Sequence, residues 1–200
     1  LCVPIFLSMN LAIFVSGSGS NARPLIDRFQ AHPEYGLTVV LLVSNKATAG
    51  ALMIAAERDV PSLVVKRDAF YQSEELLADL KFFDVDFIAL AGFLWLIPPY
   101  LIEAFPNQML NIHPALLPAY GGKGMYGPNV HRAVKANGET ESGITIHYVN
   151  EAYDEGDYVF QAAVRLDAED TPEQIAERVL RLEHGNYWRV LRRLAASAQE

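Results

Sequence analysis

The feature of this 200-residue chain that most limits its possible folds is a series of short apolar runs, each ending at turn-forming or polar residues. The first, Leu11–Val15, contains no polar position and is followed by Ser16-Gly-Ser-Gly-Ser-Asn21. Strands covered on both faces have this continuous pattern, whereas strands with one solvated face alternate. The later runs lie at 37–43, 62–65, 87–91 and 109–113. The pattern predicts a buried parallel sheet.

Segments with helical character separate these runs. Thr171-Pro-Glu-Gln174 has the marks of a helix start, with threonine as N-cap, proline at the first position and glutamine closing a capping box. Ser73 is expected to cap a helix that ends near Phe82. Two further strands are expected at 144–149 and 158–165. Strands alternating with helices predict an α/β fold with a doubly wound, mainly parallel sheet, whose ligands bind at the carboxyl ends of the strands.

Composition limits the possible functions. A net charge of −8 disfavours nucleic acid as a partner, because nucleic-acid binding depends on Lys and Arg at phosphates. The single cysteine, Cys2, excludes a disulfide framework and is consistent with a reducing compartment. We expect one domain over 9–200, with Met9 as the natural start and residues 1–8 as an N-terminal extension. No run has the length and composition of a membrane span or signal peptide, so we expect a cytoplasmic protein.

The loop Ser16–Asn21, between the first strand and the first helix, predicts an anion site. Its glycines allow close approach of the backbone, and the first N–H groups of a helix have no partner within it and favour negative charge. A dinucleotide fingerprint would need a third glycine, where Ala22 stands, and an acidic residue after the second strand, where Val43-Ser-Asn-Lys46 stands. We therefore expect a monophosphate rather than NAD. The alternative is a turn without a ligand.

Asn111 and His113 end the fifth predicted strand. Alternate strand residues share a face, so the amide and the imidazole would lie together while Ile112 packs into the sheet. Pro114 has no N–H and closes the strand. The pair is suited to hydrogen bonding and proton transfer, although two polar groups satisfied at a strand end would give the same pattern.

A carboxylate partner would fix the tautomer of this histidine and favour its charged form. Asp154, Glu155 and Asp157 lie in the turn between the last two predicted strands, and each is chemically suitable. Each is also an ordinary turn residue. Spacing does not choose among the three.

These residues belong to a series of motifs by which the chain resembles the phosphoribosylglycinamide formyltransferase family, folate-dependent enzymes of purine synthesis. The motifs follow one order from residue 9 almost to the C-terminus, which is far more specific than any one alone. They are Ser16-Gly-Ser-Gly-Ser-Asn21, Val43-Ser-Asn-Lys46, Leu90-Ala-Gly-Phe-Leu94, Leu110-Asn-Ile-His-Pro-Ala-Leu-Leu-Pro118, Gly143-Ile-Thr-Ile-His-Tyr-Val149, Asp154-Glu-Gly156 and Glu183-His184. The resemblance implies a Rossmann-like formyltransferase fold.

The resemblance also implies a reaction, in which the amine of glycinamide ribonucleotide attacks the formyl carbon of the cosubstrate 10-formyltetrahydrofolate. It makes Asn111 a donor to the developing oxyanion, the charge that preorganised donors stabilise best. His113 becomes the general acid, and Asp154 the aspartate that favours the protonated histidine and takes part in proton transfer.

Binding roles follow from the same resemblance. It implies that Gly19, Ser20 and Asn21 bind the substrate phosphate and that Glu183 contacts the ribonucleotide. Folate would be bound, largely through backbone groups, by Leu94, Trp95, Leu96 and Ile97, together with Asn111.

Some positions depart from the family pattern. The family often has Met-Arg-Ile-Leu at 94–97, so Trp95 replaces an arginine, and Ser73 falls near a second arginine used with folate. Either Lys66 or Arg67 is the nearby cation expected to compensate. The loop Tyr120–Pro128 is longer and richer in glycine than usual, and His131 aligns with a histidine beyond it.

Other functions remain as alternatives. The five histidines lack metal-ligand spacing, so no metal site is expected, and His147 is expected to be a hydrogen-bonded core or near-site residue. A formyltetrahydrofolate deformylase would have a similar Asn-x-His and aspartate, usually after an extra N-terminal domain. A non-catalytic ribonucleotide- or folate-binding protein would need the glycine loop without Asn111, His113 and Asp154 together.

Overall fold

The computed structural model describes residues 8–197, and the predicted extension at 1–8 lies outside that range except for Ser8. The strands are β1 (Met9–Val15), β2 (Leu37–Ser44), β3 (Ser62–Val64), β4 (Phe87–Leu90), β5 (Met109–His113), β6 (Glu141–Tyr148) and β7 (Tyr158–Arg165). They form one sheet in the order β3-β2-β1-β4-β5-β6-β7. Strands β1 to β5 pair in parallel, and β6 and β7 are antiparallel. The predicted mainly parallel α/β sheet is confirmed.

Helices cover both faces of the sheet. They are α1 (Ala22–Ala31), α2 (Gly50–Ala56), α3 (Arg67–Gln72), α4 (Glu75–Phe82), α5 (Pro99–Ala104), α6 (Pro128–Ala136) and α7 (Pro172–Ser197). One core contains residues of α1, α2, α6 and α7, and the other contains residues of α3, α4 and α5. In β1, Leu11 and Ile13 belong to the first core, whereas Ala12 and Phe14 belong to the second. This two-sided burial is why the run has no polar position. Within residues 8–197, no helix has the length and apolarity needed to cross a bilayer.

The helix boundaries differ from the prediction around α3 and α4. Ser73 follows α3, where its hydroxyl donates to the Ala69 carbonyl at 3.0 Å, and the N-cap of α4 is Glu74. The six-residue helix α3 was not predicted, because it is too short for a clear periodicity and depends on burial of Phe70. The predicted capping box is confirmed, since the Thr171 N–H donates to Gln174 Oε1 at 2.8 Å and the Gln174 N–H to Thr171 Oγ1 at 3.3 Å.

The strand order fixes where a ligand can bind. The chain runs from β1 outward to β2 and β3 and then crosses back to place β4 on the other side of β1. The loops that leave the carboxyl ends of β1 and β4 therefore diverge and open a crevice between them. The glycine loop after β1 and the end of β5 both border this crevice.

Candidate active site

A cavity of about 840 Å³ occupies the crevice. It extends from the glycine loop, past the end of β5, to an aromatic cluster beside α3. The residues predicted from sequence all line it, namely Gly19, Ser20, Asn21, Leu94, Trp95, Leu96, Ile97, Asn111, His113, Asp154 and Glu183. Residues that are up to 164 positions apart in the sequence therefore line the same cavity.

His113 and Asp154 form a buried pair at one wall of the cavity. Nδ1 of His113 lies 3.4 Å from Asp154 Oδ1, and Nε2 donates to the Tyr120 carbonyl at 2.8 Å. Only 3% of His113 is exposed. Both ring nitrogens face acceptors, so an imidazole protonated on both nitrogens satisfies them together.

The loops around Asp154 keep its carboxyl ionised. Burial by itself would raise the pKa of Asp154, but hydrogen bonding to His113 and to the Gly122 N–H, which lies 2.9 Å from Oδ2, lowers that pKa well below its usual range. Its backbone φ of 60° turns the side chain inward from the β6–β7 connection. The structure thus places Asp154 beside His113, as the family resemblance implied, whereas Glu155 and Asp157 are exposed.

Asn111 is oriented by a histidine on the neighbouring strand. The sheet register places Asn111 opposite His147, and Asn111 Nδ2 lies 3.1 Å from His147 Nε2 and 3.3 Å from Asp154 Oδ1. His147 Nδ1 lies 2.8 Å from the Tyr148 carbonyl, which can only accept. In the neutral ring Nε2 is therefore free to accept from Asn111. The expectation that His147 is a hydrogen-bonded near-site residue is confirmed.

The glycine loop is held from beneath by α7. Asn21 Nδ2 donates to Glu183 Oε2 at 2.9 Å, and His184 Nε2 donates to the Ser20 carbonyl at 2.9 Å. Gly19 has a φ of +80°, and a Cβ there would lie 2.8 Å from Ala51 Cβ. Glycine is therefore required at this position both by its backbone conformation and by the contact with α2.

Glu183 is a buried acid without a cationic partner among the described residues. Burial raises its pKa to about 7, although the hydrogen bond from Asn21 opposes the shift. The group therefore changes charge near neutrality.

We expect Glu183→Gln to increase the free energy of unfolding by about 3 kcal/mol at pH 8 and by less than about 1 kcal/mol at pH 5. The pKa is raised from 4.5 to about 7 on folding, so the unfolded chain releases this proton first. Wild-type stability therefore falls as the pH rises from about 4.5 to about 7, whereas glutamine stays neutral. Urea unfolding at the two pH values measures the difference. An equal gain at both values would show that titration of Glu183 is not its source.

The far end of the cavity is aromatic and carries a cation. Trp95 packs against Phe70 and Tyr71, with ring centroids 5.3 and 5.9 Å apart. The Arg67 guanidinium lies 5.5 Å from the Trp95 ring and 5.3 Å from the Tyr71 ring. Arg67 is thus held against the aromatic rings at this end of the cavity by cation–π contacts.

Two backbone groups of the segment 94–97 are hydrogen-bonded to side chains of the protein. The Leu94 N–H donates to Ser16 Oγ at 2.9 Å, and the Leu96 carbonyl accepts from the Tyr71 hydroxyl at 3.1 Å. The segment is therefore fixed to both β1 and α3. This bracing makes one side of the cavity rigid.

Arg67 and Lys46 are basic residues that both line the cavity. Sequence reasoning named Arg67 only as one of two cations that would compensate for a missing arginine, and Lys46 only as part of a motif. Lys46 lies two residues after the end of β2, where a ligand-facing residue is expected. Among residues 8–197, no group of three or more His, Cys, Asp or Glu side chains could hold a metal ion. His131, beside His113, has its pKa lowered by burial and by that neighbour.

Comparisons with known proteins show which family the chain resembles in sequence and fold. A family model described as formyl transferase matches residues 9–191. The chain is 48% identical over 186 residues to a chloroplastic phosphoribosylglycinamide formyltransferase of Arabidopsis thaliana, covering 90% of this chain and 63% of that protein. It is 33% identical over 187 residues to the Bacillus subtilis phosphoribosylglycinamide formyltransferase, covering 92% and 93%.

A solved structure shows the same fold. The crystal structure of glycinamide ribonucleotide transformylase 1 from Symbiobacterium toebii has a TM-score of 0.87 and 31% sequence identity, with 98% of this chain and 92% of that chain covered. The chain thus matches nearly the full length of these bacterial proteins and about three fifths of the Arabidopsis one.

Proposed function

This chain belongs to the formyl transferase family, and on that basis we propose that it transfers the formyl group of 10-formyltetrahydrofolate to the amine of glycinamide ribonucleotide. The observation that supports this most directly is the meeting of Asn111, His113 and Asp154 in the cavity that also contains the glycine loop. A binding protein without catalysis would have no need of the buried pair. The substrates are inferred from the names of the relatives and from the resemblance of the motifs.

The residues account for the steps of such a transfer. The substrate amine attacks the formyl carbon, a C–N bond forms, and the carbonyl electrons move onto oxygen. When this tetrahedral intermediate collapses, the bond from carbon to N10 of the folate breaks, and His113 would supply the proton that N10 needs from Nδ1, whose contact with Asp154 is the longer of its two. The amine loses a proton, which returns to the buried pair. The negative charge of Asp154 stabilises the imidazolium before this proton leaves and after the proton from the amine returns.

Asn111 would stabilise the oxyanion by exchanging one of its hydrogen bonds. Its two N–H groups point at His147 Nε2 and Asp154 Oδ1, at 3.1 and 3.3 Å. The longer contact, with Asp154, is the one that the substrate oxygen replaces. His147 then holds the amide in place, so the donor is preorganised when the charge develops.

The ribonucleotide would bind at the glycine-loop end of the cavity. Gly19, Ser20 and Asn21 immediately precede the N-terminus of α1, where backbone N–H groups and the helix dipole favour a phosphate. Lys46 lines the same cavity and adds positive charge. Glu183, which holds Asn21, would accept from the sugar when ionised.

The folate would occupy the opposite end, between Leu94–Ile97 and the turn that carries Asp154. The aromatic rings there suit a planar pterin or benzoyl group. Arg67 would face the glutamyl carboxylates. This places the formyl carbon between the folate and the ribonucleotide, beside His113.

The test of the proposed function is an assay of the purified protein with both substrates. We expect formylated ribonucleotide and tetrahydrofolate in equal amounts, and little formate when the ribonucleotide is omitted. Rapid formate release without ribonucleotide would instead support the deformylase. Binding of either ligand without turnover would support a non-catalytic binding protein.

We further propose that residues 9–200 form one formyltransferase domain and that the reaction needs neither metal nor nucleic acid. Activity should survive treatment with a chelator. We propose the cytoplasm as the location. Localisation of the tagged protein tests this against the chloroplast, where the Arabidopsis relative is found according to its name.

We expect Gly19→Val to raise KM for the ribonucleotide by at least about 10-fold, with a smaller change in kcat. A side chain there meets Ala51 at 2.8 Å and cannot keep a φ of +80° without strain, so the loop must move. The matched control is Gly36→Ala, which has a φ of 67° outside the cavity and should change stability without changing KM. An unchanged KM in Gly19→Val would contradict the phosphate site.

We expect Arg67→Ala to raise KM for the folate by about 10-fold and to leave KM for the ribonucleotide unchanged. The guanidinium above Trp95 and Tyr71 is the cation nearest the aromatic end, whereas the exposed Lys66 does not line the cavity. Lys66→Ala is therefore the control. If Lys66→Ala has the larger effect, Lys66 is the compensating cation.

A further inference from the structure

The loop after β5 supplies two opposite backbone groups to the buried pair. The Tyr120 carbonyl accepts from His113 Nε2 at 2.8 Å, and the Gly122 N–H donates to Asp154 Oδ2 at 2.9 Å. The carbonyl fixes the orientation of the imidazole through its Nε2 proton, and the N–H group favours the ionised form of the carboxylate. The position of the 120–122 segment therefore affects both members of the pair.

The Tyr120 side chain anchors the 120–122 segment and does not line the cavity. The Tyr120 hydroxyl donates to Glu139 Oε1 at 2.6 Å and accepts from Asn137 Nδ2 at 2.8 Å. Both partners are exposed and follow α6, and none of the three residues lines the cavity. The phenol thus links the loop after β5 to the loop after α6.

The backbone of Tyr120 depends on this anchor. Its φ of 58° is in the left-handed region, which is uncommon for a large side chain and persists where the surroundings hold it. The next residue, Gly121, packs so closely that a Cβ would lie 2.6 Å from Leu117 Cδ2 and 3.4 Å from Asp154 Cβ. A shift at Tyr120 would therefore be transmitted to both members of the pair.

We propose that Tyr120 is a positioning residue, whose phenol, held by Glu139 and Asn137, places the carbonyl that orients the His113 ring for the reaction. The inference rests on the proposed function, in which His113 donates a proton. Tyr120 acts through its backbone and does not touch the reacting atoms.

The other titratable groups around His113 come from separate elements. Asp154 and His147 belong to the connection after β6 and to β6 itself, His131 to α6 and Glu183 to α7. None of them hydrogen-bonds the Tyr120 side chain. A change of pH profile on removing the phenol hydroxyl is therefore attributable to the loop.

Tyr120→Phe tests the proposal, because it removes one oxygen and keeps the ring. We expect kcat to fall about 10-fold with both KM values within about twofold, and the alkaline limb of the kcat profile to move to lower pH. That limb moves because an imidazolium held by a displaced acceptor loses its proton more readily. A merely structural role would lower stability and leave the pH profile in place.

Three further variants make the test specific. Glu139→Gln keeps an acceptor oxygen and should retain most of kcat, whereas Glu139→Ala should resemble Tyr120→Phe. If Tyr120→Phe does not fold, Glu139→Ala, at an exposed position, carries the test. Tyr158→Phe is the matched control, since Tyr158 is 46% exposed on β7 and its hydroxyl makes no hydrogen bond within residues 8–197.

A second measurement separates this inference from the proposed function. Histidine ring nitrogen signals in NMR spectra report the His113 contact without any substrate, and Tyr120→Phe should shift the Nε2 signal. If the wild type transfers formyl groups but Tyr120→Phe changes neither kcat, its pH profile nor this signal, the inference is wrong. If the wild type has no transfer activity, the proposed function is wrong, and the NMR signal still decides the positioning role.

Discussion

His113→Ala should lower kcat by about 1,000-fold while changing KM for both substrates by less than about threefold. The imidazole is the group in the cavity whose two nitrogens face acceptors, at 2.8 and 3.4 Å, so it is poised to carry a proton. Its loss removes an interaction made in the transition state rather than in the ground state, and kcat is therefore the parameter that falls.

The structural cost of this substitution needs its own control. His113→Ala leaves Asp154 buried without its main partner, which destabilises the fold. His113→Gln retains a donor and most of the volume and should lose kcat to a similar extent. Single-turnover measurements on both variants, with unfolding curves, separate chemistry from stability. Turnover like that of the wild type in either variant would refute the role of His113 as general acid.

Asp154→Asn should also lower kcat by about 100-fold to 1,000-fold, although the side chains have the same shape. The amide carries no charge to stabilise an imidazolium, and it places an NH₂ group beside either the Gly122 N–H or Asn111 Nδ2, both of which are donors. The variant should therefore disturb both the charge and the hydrogen bonds of the pair.

The same substitution should have an effect on stability that depends on pH. Contacts in the fold lower the pKa of Asp154 below its ordinary 3.8, so the carboxylate contributes stability above about pH 4, and that contribution is lost on acidification. Asp154→Asn should accordingly be less stable than the wild type at neutral pH, with the difference shrinking in acid.

The control for Asp154→Asn is Asp157→Asn, three residues along the same turn. Asp157 is exposed, and the sequence alone offered it as an equal candidate. It should change neither kcat nor the pH dependence of stability. Parallel kinetics and denaturant unfolding on both variants decide between the two acids. A larger kinetic loss in Asp157→Asn would overturn the assignment.

The strands were predictable where burial on both faces leaves a continuous apolar run, as in β1, or where turn residues bound the segment. The predicted strands at 109–113 and 158–165 coincide with β5 and β7, whereas the strand predicted at 144–149 begins three residues later than β6. Helix boundaries were less predictable. Helix α3 has six residues and is held by the burial of Phe70 between other aromatic rings, which no local pattern encodes.

The residues of the candidate site could be predicted where they belong to a recognisable sequence motif. Spacing within β5 placed Asn111 and His113 on one face, but the choice of Asp154 over its neighbours came from family resemblance. His147 reaches Asn111 through the register of β5 with β6. Arg67 is held over Trp95 by a cation–π contact, and Tyr120 is held by the hydrogen bond of its hydroxyl to the exposed Glu139. These relations join distant segments, so their spacing along the chain carries no signal.

Local sequence by itself determined the sheet, the glycine turn and the strand-end amide and imidazole, since burial and backbone preference act over a few residues. Tertiary structure alone decided which basic side chain reaches the aromatic end of the cavity and which carbonyl orients the ring, and it placed the acid implied by the resemblance beside His113. Those outcomes depend on distances of about 3 to 5 Å between chain segments far apart in sequence, and such distances are set by how the helices and loops pack around the sheet.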